Sequence, residues 1–256
     1  IVADGGVPWS VGLESAEASG WPGTDWIEDI MLRTAGSEVY DQWVNHEISW
    51  TDEAIVNAFE VWGEIVGKED YLYGGSVGTL ATNFGEAPWS LWEEPPGAYL
   101  HHQASFITGF ILDQYPDLEM GTDINFFPFP TINEDIGPAV MGAADVIVMF
   151  NDRPEVRAFL EYLASPEPQE IWAGLGGFLS PSKSVSMDVY PDDITRSLAE
   201  AVVGAEVFRF DASDLMPAAV GAGVFWSGVL DYVENPDNLM DILESIEEVA
   251  VDAYAE

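Results

Sequence analysis

The residues best suited to recognition are aromatic rings set beside carboxylates. Trp21 and Trp26 bracket Asp25, and Glu14 opens the small, acidic run that precedes them. Flat ring faces take the C–H faces of a sugar, and carboxylates accept hydrogen bonds from its hydroxyls. Either tryptophan alone is more often a packing anchor of a loop–helix corner, because large aromatics are mostly buried. His102, Gln103 and Phe106 form a second candidate group, Phe225 and Trp226 a third. His102 is weighed equally as a satisfied core histidine and as a ligand contact. Asp145 interrupts the apolar run 141–150, and buried carboxylates are rare unless paired, so it is expected to act in function or to tie a loop. For Trp226 core packing is the default, and only its place beside the loop at Met216-Pro217 argues for a ligand.

Other chemistries find less support. The histidines are His46, His101 and His102, and adjacent histidines on a strand point to opposite faces, so no metal site is expected. There is no cysteine, which excludes disulfides, thiolate catalysis and Cys-based zinc sites. Histidine bases are scarce, and no nucleophile elbow is expected. Gly174-Leu175-Gly176-Gly177 lacks the lysine of a phosphate loop, and no cofactor is expected. Glycoside hydrolysis needs only two carboxylates at a set separation. No pair stands out among the 46 acids, so a glycosidase is the alternative reading.

The elements that would position these residues read as follows. Residues 8–13 have strand length, and Trp26, Ile27, Ile30 and Met31 have helical spacing behind a cap at Thr24. Helices are expected over 37–44, over 51–66 with Thr51 as cap, over 192–203, over 221–233, and from Asn235-Pro236 to near the end. Strands are expected at 98–101, 125–129 and 141–150. After the last, Asp152 and Glu155 form a capping box, and the helix carries Val156, Phe159, Leu160 and Leu163 inward. Few strands scattered among helices point to α/β or α+β layers.

Seven basic residues against 46 acidic ones give a net charge of −39. Such a polyanion repels nucleic acid and anionic membrane, since affinity for both rests on Lys and Arg. The acids are spread along the chain, which reads as a whole acidic surface of the halophilic kind rather than an interaction tail. No apolar run has transmembrane length, and direct membrane insertion is not expected. The chain opens Ile1-Val2-Ala3-Asp4 without Met, which reads as a fragment or a processed chain.

Several motifs carry a resemblance. Glu14-Ser15, Gly20-Trp21-Pro22 and Thr24-Asp25-Trp26-Ile27-Glu28-Asp29 resemble the extracellular solute-binding proteins of carbohydrate ABC transporters. The nearest group is the α-glucoside branch of the maltose-binding-protein superfamily (family 1). Further matches are Asn83-Phe84-Gly85-Glu86-Ala87-Pro88-Trp89, Pro95-Pro96-Gly97, Gln103-Ala104-Ser105-Phe106, residues 150–157, 175–181 and 210–217, all in family order.

The resemblance implies a periplasmic-binding-protein-like type II α/β fold, truncated at its N-terminus, with two lobes closing on a sugar. Residues 1–133 and 190–256 would form the second lobe, and 134–189 the returning segment of the first. It implies a non-enzymatic, monomeric protein, periplasmic or on the cell surface, that passes an α-glucoside or related oligosaccharide to ABC transporter permease subunits. By the same resemblance Trp226 corresponds to a stacking tryptophan, Glu14–Trp21 to a cleft loop, and His102–Phe106 to another aromatic segment.

Overall fold

The computed structural model describes residues 1–255, in eleven α-helices and two short strands. In order these are α1 (Trp21–Thr34), α2 (Gly36–Val44), α3 (Glu53–Val66), α4 (Gly75–Ala81), α5 (Ile107–Gln114) and β1 (Ala139–Gly142). Then come α6 (Pro154–Leu163), α7 (Pro166–Ala173), α8 (Asp193–Gly204), β2 (Val207–Phe210), α9 (Ala212–Leu215), α10 (Trp226–Glu234) and α11 (Leu239–Ala253). β1 and β2 pair in a two-stranded sheet. The chain divides into two compact units: unit one holds 1–104, 129–142 and 209–256, and unit two holds 105–128 and 143–208.

Unit one is built around α1. Gly20 precedes the helix at φ 108°, a conformation that glycine adopts without a Cβ penalty, and Pro22 sits in the first turn, where its missing N–H costs nothing. Thr24 lies inside the helix and donates to the Trp21 carbonyl, so it is not the cap. Nearly the whole of α1 is buried, including Asp25, Glu28, Asp29 and Arg33 as well as Trp26, Ile27, Ile30 and Met31. Around it pack α2, α3, α10 and β1. The next cap is also shifted by one: Asp52, not Thr51, accepts the Ala54 N–H at the start of α3.

An aromatic cluster fills the space behind these helices. Trp43, Trp50, Phe59 and Phe225 meet mostly edge to face, with ring centroids 4.9–6.4 Å apart. Such edge-to-face pairs add about 0.5–1.5 kcal/mol each beyond area burial. Tyr232 closes the cluster and donates to the Phe59 carbonyl at 2.8 Å.

Residues 8–14 are extended but join no long sheet. Trp9 bridges in parallel to Leu72 and to Leu100, and Glu14 bridges to Asn83. The expected strand at 98–101 is thus a single bridge. No strand forms at 125–129 among the described residues.

Unit two has a small core of Ala173, Val185, Tyr190 and Ala199, with Phe178, Leu179, Met187 and Val189 against it. Here three expectations fail. The strand read over 141–150 pairs only as far as Gly142, and Val146, Ile147 and Val148 are exposed. No described segment supplies partners for the amides of 143–150, and a strand without a partner is not assigned as one. The capping box also fails. Asp152 pairs with Arg157 through both carboxylate oxygens, and α6 starts at Pro154 without a side-chain cap. Phe159 on α6 is 58% exposed rather than inward.

Candidate functional site

The Glu14–Trp21 loop turns at one end of unit one, and three other segments hold it. The first is 82–84. Glu14 N–H donates to the Thr82 carbonyl at 3.1 Å, and Phe84 N–H donates to the Glu14 carbonyl at 3.0 Å. The second is the chain before it, since Gly20 N–H donates to the Leu13 carbonyl. The third is the start of α10. A Cβ on Gly20 would lie 2.2 Å from the Trp226 carbonyl oxygen, so the two backbones meet and only glycine fits.

Glycine also permits the approach to Trp226 from the other side. Residues 220–225 form a π-helical turn leading into α10, and a Cβ on Gly221 would lie 1.9 Å from the Ser213 carbonyl oxygen. Single π turns recur at functional sites because they re-aim the side chains that follow. Here the turn separates neighbours. Phe225 points into the aromatic core at 0% exposure, while Trp226 is only half-buried.

The side chains at this end are oriented by direct contacts. The Glu14 carboxylate accepts the Ala16 N–H at 2.7 Å and the Asn83 side-chain amide at 2.8 Å. These bonds, the Asn83 one foremost, hold its pKa below the ordinary glutamate value. Trp21 packs edge-on against Phe84, 5.1 Å between centroids. The arrangement offers a carboxylate acceptor and the Trp21 ring at a glycine-built corner, which is chemistry for binding hydroxyls and C–H faces rather than for moving protons.

Behind this end lies a buried acid cluster that sequence reasoning missed. Glu28 accepts the Ala212 and Ser213 N–H groups at 2.8 and 3.1 Å and so caps α9 from across the fold. Asp211 caps the same helix through the Asp214 N–H and also accepts from the Ser213 hydroxyl. Burial, and then Asp211, Asp29 and Asp214, push the Asp25 carboxyl well above the usual range. Burial, and then Asp211 and Asp25, do the same to Glu28. Tyr40 donates to the Phe210 carbonyl and is raised by its own burial, then by Glu28. The signal was present in the helical spacing of Glu28 and Asp29 beside Asp25, but helix periodicity alone reads acids as a solvated face.

Several expected contacts lie elsewhere. Asp25 is 7% exposed within this cluster. Phe225 is wholly core and offers no ring face to a ligand. His102 is partly buried, its Nε2 2.9 Å from Asp29 and its ring against both Trp26 and Phe129. Gln103 turns its carbonyl oxygen to the Ala104 N–H. Phe106 and Asp145 belong to unit two and are exposed, so Asp145 is not the buried carboxylate of a strand. The structure thus sets the Glu14 and Trp21 side chains against residues 83 and 84 and brings the Trp226 backbone to Gly20.

No group of three or more His, Cys, Asp or Glu side chains among the described residues is placed to hold a metal ion. Gly74-Gly75-Ser76-Val77-Gly78 does have Gly-x-Ser-x-Gly spacing, contrary to the expectation that no such elbow exists. Ser76 Oγ donates to Glu69 at 2.6 Å, and the histidines contact Glu247, Ser10 and Asp29 instead. The serine therefore has no imidazole base.

Comparison with known proteins agrees with the motif resemblance. No family model matches the chain. The chain is 46% identical over 247 residues to the osmoprotective compounds-binding protein GgtB of Synechocystis sp., covering 96% of this chain and 58% of that protein. It is 42% identical over 236 residues to the alpha-glucosides-binding periplasmic protein AglE of Rhizobium meliloti, covering 91% and 51%. The chain therefore spans about half the length of the curated relatives it matches. Among solved structures, a chitin oligosaccharide binding protein matches with TM-score 0.71 at 18% identity, over 100% of this chain and 62% of that one. The bacterial solute receptor AcbH matches with TM-score 0.75 at 18% identity, over 99% and 62%. Homologues of this chain are solute-binding proteins of ABC transporters, and its fold is part of the type II binding-protein fold.

Proposed function

We propose that this chain is the larger part of a non-enzymatic binding protein that captures an α-glucoside or related oligosaccharide for an ABC transporter. The observation that carries this reading is the corner where Asn83 and Ala16 hold the Glu14 carboxylate, Trp21 packs on Phe84, and the Gly20 backbone meets that of Trp226. The carboxylate accepts hydroxyl hydrogen bonds, and the indoles stack on the sugar. The name of the AglE relative supports α-glucosides as the ligand class. The permease subunits of the transporter are the partners in this reading, and the periplasm or cell surface is the place. Unit one supplies the body of the second lobe. Residues 134–189 supply the segment that returns to the first.

A second reading is favoured by the GgtB likeness: the ligand is an osmoprotective compound. The two meet in a small glucoside and part at a zwitterion without hydroxyls. Titration calorimetry with trehalose, sucrose, maltose and glycine betaine separates them. The sugar reading expects heat from a glucoside and none from betaine. Trp226→Ala should then weaken glucoside binding by about 1–3 kcal/mol, the scale of a lost aromatic surface. Unchanged affinity in that variant overturns the placement of the site.

A further inference from the structure

Two adjacent residues, Asn83 and Phe84, contact two of the side chains that the proposed site depends on, Glu14 and Trp21. Asn83 gives its side-chain amide to the Glu14 carboxylate at 2.8 Å, and its own carbonyl oxygen accepts the Gly85 N–H at 3.0 Å. The amide is thereby fixed on both sides, oxygen to the turn and nitrogen to Glu14. Phe84 sets its ring against Trp21. The segment itself cannot drift from the loop, because Glu14 and Asn83 bridge in parallel. Gly12 tightens the same seam, since a Cβ there would lie 2.8 Å from the Thr82 carbonyl oxygen.

Consider what Glu14 would do without this support. A glutamate on a surface loop samples several rotamers and takes up a proton near its ordinary pKa. Each carboxylate oxygen has two acceptor positions. In the structure one position on each oxygen is filled, by Ala16 N–H and by the Asn83 amide. One position on each remains to accept a hydroxyl, and the group is held in a single orientation. A site whose supporting contacts fix the recognising group before the ligand arrives loses less order on binding.

We propose that Asn83 is a positioning residue of the sugar site, holding the Glu14 carboxylate in one orientation for hydroxyl recognition. The proposal rests on the sugar-binding reading of the same corner. It assigns Asn83 no contact with the sugar. Its effect passes through Glu14, so it vanishes when Glu14 can no longer act as an anionic acceptor.

The test uses the full chain with Asn83→Asp, Asn83→Ala, Glu14→Gln and the Asn83→Asp/Glu14→Gln double variant. Asn83→Asp keeps the acceptor for Gly85 N–H and removes the donor to Glu14, so it spares the turn where Asn83→Ala does not. The first measurement is the ligand-free titration of the Glu14 side-chain carboxyl by carbon NMR. The parent midpoint should lie below that of an ordinary glutamate, and both single Asn83 variants should raise it. The second is trehalose, maltose and sucrose affinity across acid to neutral pH by calorimetry. Asn83→Asp should lose roughly tenfold in affinity, the effect of one hydrogen bond to a charged group, with the loss growing toward acid pH. In the Glu14→Gln background the same change should cost nothing further. An unmoved Glu14 midpoint overturns the proposal, and so does an equal loss in both backgrounds. If the parent binds none of the three sugars, the sugar reading fails, and the NMR titration still reports whether Asn83 governs Glu14.

Discussion

Asp25 provides a quantitative test of the buried acid cluster. Its carboxyl is 7% exposed on α1, and the charges that act on it most are those of Asp211, Asp29 and Asp214. Burial comes first among the causes, and every cause raises the pKa above the ordinary aspartate value of 3.8. The sign follows from linkage. Well below that value both folded and unfolded chains hold the proton, and stability does not change with pH. Above it the unfolded chain releases the proton while the folded chain keeps it, so stability falls as pH rises. The fall is about 1.4 kcal/mol per pH unit for each retained proton. It stops once pH passes the folded pKa, where the native carboxyl also ionises.

Asp25→Asn keeps the shape and cannot ionise, so it removes this one contribution. As pH rises above the ordinary aspartate range the variant should therefore gain on the parent, by about 1.4 kcal/mol per pH unit for as long as the folded carboxyl keeps its proton. Urea unfolding followed by tryptophan fluorescence reads this directly. All ten tryptophans except Trp172 lie in unit one, so the signal reports the unit that holds Asp25. The solutions should share one high salt concentration, so that surface repulsion is screened alike. Parallel stability curves for parent and variant would refute the reasoning, because they would mean that Asp25 ionises in the folded chain much as in the unfolded one.

Other outcomes follow from the same structure. Phe59→Ala, which empties a fully buried place in the aromatic core, should cost about 3–5 kcal/mol in chemical unfolding, whereas Phe159→Ala on exposed α6 should cost well under about 1 kcal/mol. Equal costs would mean that α6 is packed in a way its exposure denies. The net charge of −39 should make the melting temperature rise as NaCl goes from about 0.01 M to about 1 M, over which the Debye length shrinks from about 30 Å to about 3 Å. A flat or falling calorimetric curve would mean that repulsion among the acids contributes little.

Local signals in the sequence located most helices but not the exact caps. Asp52 rather than Thr51 caps α3, and Gly20 rather than Thr24 starts α1, because a cap is set by where the chain enters and not by residue type alone. The apolar run 141–150 shows the limit of periodicity. A hydrophobic stretch states that a residue prefers burial and is silent about whether a partner is present to bury it. Phe225 and Trp226 show the same limit at the site. They are adjacent and chemically alike, and the π turn that ends at Phe225, which no spacing rule reveals, sends one into the core and leaves the other partly buried. Glu14 and Trp21 stand out in the sequence because they flank the turn between an extended run and the start of α1. Asn83 was legible only as part of a motif, since its bond to Glu14 joins residues 69 positions apart.

The central claim is capture of a glucoside without chemistry on it. The direct measurement incubates the purified chain with maltose, trehalose and sucrose in excess, removes free sugar, denatures the protein and identifies what is released. The account predicts that one of these sugars is recovered intact and near one molecule per chain, with no glucose accumulating in the incubation. Glucose that continues to form after repurification, or the absence of any retained sugar, would contradict it.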